Sequence, residues 1–228
     1  MREYRIWEYQ KGRKPRLTPT IRAAAIEHYN TVLLSPTLET PLSHFDSNIV
    51  EKELSKRESE AANLLRKIES NSFSSRDKEA LTKWLSIQIT RVPCFREMIL
   101  EGYRREGFQV SSAVALAEVN DNWLTDIESW EWTFLEAPAD SVFVTSDNPV
   151  YFSSAGITYP LNPKLVLIVG GLGETQDSVP VNSELVEIVN RKTIENAHNY
   201  VFASKKVESL NVTVQDSLGA SNLRHLRE

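Results

Sequence analysis

The chain has a single cysteine, Cys94, so no internal disulfide holds it together, and a reducing compartment suits it. Pro93 and Phe95 flank that cysteine in a helix-like run, where a small buried thiol is the plain reading. Long apolar stretches are missing too. No apolar run exceeds the length of Leu165 to Val169, far short of the roughly 20 residues that span a bilayer. Met1-Arg2-Glu3-Tyr4-Arg5 lacks the apolar centre of a signal peptide. These absences point to the cytoplasm, with no membrane partner, and make the Asn211-Val212-Thr213 glycosylation pattern a chance match. Positive charge is not in excess either: the formal net charge is -5 and the pI about 5.5. That excludes a general basic surface for nucleic acid while leaving a local patch open.

The common catalytic signatures also fail. Gly170-Gly171-Leu172-Gly173 is too short for a dinucleotide fingerprint, and no clear helix follows it, so it reads as a loop. His28, His44, His198 and His225 show no ligand spacing to one another or to Cys94. No serine stands in a nucleophile elbow.

What is present is ordinary globular composition, 41% apolar and 25% charged over 228 residues. The pattern predicts one α+β domain over residues 1–205 and a poorly packed tail over 206–228. Its parts are an N-terminal β-hairpin, central antiparallel long helices and a C-terminal mixed or antiparallel sheet. The hairpin begins with the alternation of Tyr4-Arg5-Ile6-Trp7-Glu8-Tyr9 and turns at Lys11-Gly12-Arg13-Lys14. Thr18-Pro19 reads as a helix start, followed by a short helix to Glu27, a strand at Tyr29 to Leu34 and a loop over 35–47.

From Ile49 to Ser70, the residues Val50, Leu54, Ala61, Leu65 and Ile68 recur at helical spacing. Ser74-x-x-Asp77 resembles a capping box for a second long helix, whose stripe is Leu81, Leu85, Val92 and Phe95. Pro93 kinks or divides that helix. A further helix is expected over Ser111 to Glu128. Beyond it, Trp130 to Leu135 and Ser141 to Val144 read as strands that pair antiparallel across a turn at Pro138-Ala139-Asp140. Leu165 to Val169 reads as a buried strand, Ser183 to Asn199 as a helix, and Tyr200 to Ala203 as a strand.

Polar residues in apolar positions supply the candidate site. Gln88 falls in the centre of the second helix's stripe, where an unpaired amide costs about 1–3 kcal/mol. Arg91 projects from the margin of that stripe near Trp84 and fits a carboxylate or an anionic ligand. Glu51 and Glu58, seven residues apart, share an azimuth beside the first helix's stripe and suit a divalent metal or a pairing with Arg91. Each of these residues reads equally as part of a structural network or a solvated face. Ser146-Asp147-Asn148-Pro149 leaves a strand; turn chemistry accounts for all four residue types, and strand ends are also where sites are built.

Trp7-Glu8-Tyr9, Tyr29, Glu51-Lys52-x-Leu54 with Glu58, Gln88-x-x-Arg91-x-Pro93, Trp132, Thr145-Ser146-Asp147-Asn148-Pro149 and Pro160-Leu161-Asn162-Pro163 follow one another in order. In that order and spacing the chain resembles a bacterial family, domain of unknown function 4238, to about residue 205. The resemblance implies a fold and a set of matching polar residues, and no reaction. Members of that family open with a His-Tyr-Val-Pro segment ahead of the hairpin, which this sequence lacks. If that histidine serves the family's site, the resemblance implies an impaired site or one completed by a partner.

Two functional expectations follow. In the first, Asp147, Glu51 and Glu58 are catalytic, and Arg91, Gln88, Asn148 and Ser146 hold the substrate. A divalent metal would then assist phosphodiester hydrolysis on nucleic acid or nucleotide. In the second, the chain is a binding or regulatory module in which the same residues form a structural network, with a protein partner or a second copy of the chain as its target.

Overall fold

Alternation in the first strand sets the architecture. In β1 (Arg5–Gln10), Trp7 and Tyr9 face one way and Glu8 the other, and Tyr9 goes fully into a core. A turn with Gly12 at φ +75° returns the chain antiparallel as β2 (Arg16–Pro19), with Glu8 opposite Arg16 and Ile6 opposite Thr18. The structure is a computed structural model that describes residues 5–20, 49–70, 72–90, 93–107, 127, 129–153, 156–170 and 178–210. The fold is α+β, and the chain divides into two compact units, Met1–Ala25 with Trp130–Glu228, and Ile26–Ser129.

Thr18-Pro19 ends a strand, and a helical turn begins directly after it at Thr20. The hairpin register takes both residues, Thr18 buried and Pro19 at the end of an edge strand, where its missing N–H costs no ladder bond. The helix to Glu27, the strand at 29–34, the loop over 35–47 and the body of the expected helix over 111–128 lie outside the described residues.

The helical unit contains α1 (Ile49–Glu69), α2 (Ser75–Thr90) and α3 (Pro93–Arg105). Pro93 divides the second long helix, as its missing N–H dictates, and opens α3. Ala61, Leu64 and Ile68 of α1 are buried, so Leu64 rather than the expected Leu65 carries the centre of the stripe. Leu81 and Leu85 of α2 are fully buried. The start of α2 is held by the Asp77 carboxylate, which accepts from Ser74 N at 3.0 Å and Ser74 Oγ at 2.6 Å and pairs with Lys67 of α1.

The Lys67 and Ser74 hydrogen bonds hold the Asp77 pKa below its ordinary value. A lowered folded-state pKa contributes stability that is present above the unfolded value and is lost as pH falls through the folded one. Urea unfolding in this acid range should therefore show a shallower fall in stability for Asp77→Asn than for the parent, and identical slopes would refute the assignment.

Among its described residues, the sheet unit holds two sheets, one long helix and a helical start at 208–210. The five-stranded sheet runs β5 (Tyr151–Ser153), β6 (Gly156–Asn162), β7 (Leu165–Val169), β3 (Trp132–Glu136), β8 (Ser178–Pro180), antiparallel except for the β3–β8 pair. The four-stranded sheet runs β2, β1, β9 (Tyr200–Ala203), β4 (Thr145–Ser146), all antiparallel. Helix α4 (Ser183–Asn196) packs on both: Val186 and Val189 against Leu135, Val166 and Ile168, then Ile194 against Tyr9, Val144 and Val201. Asn182 caps its start through an Oδ1 that accepts from Leu185 N at 2.9 Å. Val207 and Leu210, within the range expected to pack poorly, join the second of these cores, and the Tyr9 hydroxyl accepts from Val207 N at 2.8 Å.

The stretch from Ser141 to Val144 overturns another expectation. It is not a strand and does not pair with β3. Instead the chain leaves the five-stranded sheet after Glu136, contributes β4 to the other sheet, and returns as β5. The Lys164 ammonium redirects it by donating to the carbonyls of Pro138, Ala139 and Ser141 at 2.7, 3.0 and 2.8 Å. Ser141 N turns back to Pro138 O at 3.1 Å and Phe143 N donates to Pro163 O at 2.9 Å, so the segment bonds to its own turn and to the β6–β7 loop.

Candidate functional site

The crossing segment 142–148 lies along α4 and the turn into β9, and its polar groups are met there one by one. Asn190 of α4 supplies what a neighbouring strand would: its Oδ1 accepts from Val144 N and its Nδ2 donates to Val142 O, both at 2.9 Å. Ser146 is buried on β4, and its Oγ accepts from Asn148 N at 3.2 Å. Asn148, also buried, donates through Nδ2 to the carbonyl of Asn196 at 2.9 Å. That carbonyl is one of the last of α4 and has no partner within the helix.

Asp147 completes the set. Its Oδ1 accepts from His198 N at 2.9 Å, and its Oδ2 accepts from Asn199 N at 2.8 Å and Tyr200 N at 3.2 Å. Its own N–H donates to Tyr200 O at 3.1 Å. The carboxylate thus fastens the corner where α4 becomes β9. Burial pushes its pKa up, against the pull of the backbone amides of Asn199, His198 and Tyr200 and the nearby His198 charge.

The other expected site residues belong to the helical unit. Gln88 of α2 is 6% exposed, and among the described residues its Nε2 finds no acceptor. One turn earlier, Trp84 Nε1 is likewise buried without one. Glu58 of α1 is exposed. Glu51 is on α1, with its side chain outside the described residues, and Arg91 lies outside them altogether. The structure therefore brings Ser146, Asp147 and Asn148 together in one unit, with Gln88 and the two glutamates in the other. Among the described residues, no group of three or more His, Cys, Asp and Glu side chains could hold a metal ion. No helix among them is long and apolar enough to cross a membrane.

Two residues of this region were not singled out from the sequence. Asn190 shares a helical stripe with Val186 and Ile194, the same polar-in-apolar signal that marked Gln88. Glu8 gave no such signal, because alternation puts it on the polar side of β1. Yet it is 3% exposed, with Oε1 taking the Arg16 guanidinium at 2.7 Å and Oε2 meeting no donor among the described residues.

One face of α4, residues 140–142 and residues 205–210 line a cleft of about 470 Å³. Its rim balances Arg191, Lys205 and Lys206 against Asp140, Glu187 and Glu208. Lys205 donates to the Asp140 carbonyl at 2.6 Å, while Lys206 pairs with Glu208 and stands 5.9 Å from the centre of the Trp7 ring.

No curated protein and no solved structure matches the chain. A match to a family described as Protein of unknown function (DUF4238) covers residues 2–128 and again 119–207, and the chain belongs to that family.

Proposed function

We propose that this protein is a binding or regulatory module without catalysis, in which Ser146, Asp147 and Asn148 are structural and the cleft along α4 receives the ligand. The observation that carries the reading is the occupancy of Asp147. Both carboxylate oxygens accept from the backbone amides of 198–200, three of about four lone-pair positions, so the backbone of the α4–β9 corner accounts for the placement of the group. The Asn148 and Asn190 amides are committed to backbone in the same way. The cleft has a volume within the range of small-ligand sites, and its mixed charges suit a polar ligand bearing both signs. The full chain, supplied with magnesium or manganese, is expected not to hydrolyse bis(p-nitrophenyl) phosphate. Turnover that Asp147→Asn abolishes, at an unchanged unfolding midpoint, would overturn this reading.

One observation favours the alternative, an enzyme-like pocket for metal-assisted phosphodiester hydrolysis with Gln88 and Arg91 on the substrate. Gln88 and Trp84 present two buried donors one turn apart on α2, and among the described residues neither meets an acceptor. A substrate oxygen would satisfy them. On that reading Gln88 is held at a cost to the fold, and Gln88→Leu should stabilise the chain by about 1–2 kcal/mol in urea unfolding. A loss of stability in Gln88→Leu would instead make Gln88 a structural residue and remove this support.

A further inference from the structure

We draw no further inference here: the strongest candidate, the buried and donorless pair Glu8 Oε2 and Gln10 Oε1 on one face of β1 in the four-stranded sheet, carries nothing because the structure does not show what group covers that face.

Discussion

Asp147→Ala should lower the folding stability of the chain by about 3 kcal/mol, because it removes three hydrogen bonds at once and leaves their donors behind. His198 and Asn199 are exposed, so water can reach their amides, and the loss there is the ordinary net value of a hydrogen bond. Tyr200 is half-buried and pairs with Gln10, so an unmet amide at 200 also weakens the β1–β9 ladder. Asp147→Asn should cost less, since its remaining carbonyl oxygen still accepts. Its effect also depends on pH in a defined sense. A folded-state pKa raised by burial contributes stability that is fully present below the unfolded value and lost as pH rises through the folded one, the reverse of Asp77. The gap between Asp147→Asn and the parent should therefore be wider in mild acid than at neutral pH, measured by urea unfolding. An Asp147→Ala protein with the parent's midpoint would show that the three bonds carry no stability.

The contrast between Asp147 and Gln88 shows how far the sequence could be read. Both stood out as polar residues in apolar surroundings, Gln88 at the centre of a helical stripe and Asp147 at the end of a strand-like run, a signal that marks a group in need of partners without naming them. For Asp147 the partners are backbone amides some 50 residues on, which no local pattern encodes. Local signals did place β1, the break at Pro93, β7 and α4, because each rests on periodicity or on one residue's covalent limits. They left out the strand at Thr18-Pro19, where a hydroxyl followed by proline closes an edge strand directly before a helical turn at Thr20. They also misplaced 141–144, where a short apolar run reads as a strand but its polar backbone groups meet the side chain of Asn190 and not a paired strand. Glu8 was invisible for a related reason. Alternation assigns a residue to a face of its strand, and burial of that face depends on long-range packing.

The largest single loss is expected at Gly156. It opens β6 at φ +107°, a backbone conformation that side-chain-bearing residues rarely adopt. Strain alone at such a position costs on the order of 1–3 kcal/mol. The surroundings add to it: a Cβ built there stands 2.8 Å from Gly170 Cα and 2.9 Å from Val169 C, and closer still to Val169 O. All three atoms are backbone at the end of β7, where no rotamer change can make room. Val169 is opposite Trp132 of β3 and Ile157 of β6, and Gly170 N donates to Glu131 O at 2.9 Å, so moving that end disturbs the centre of the five-stranded sheet. Gly156→Ala should therefore lose roughly 4 kcal/mol or more, read from urea unfolding of the full chain. Gly102→Ala is the matched control. Its added methyl meets nothing within 4 Å on α3, and alanine's higher helix propensity should raise stability by about 0.5–1 kcal/mol. A Gly156→Ala chain as stable as its parent would mean that the β6–β7 register can shift, and the path that carries 142–148 onto α4 would lose the rigid sheet from which it departs.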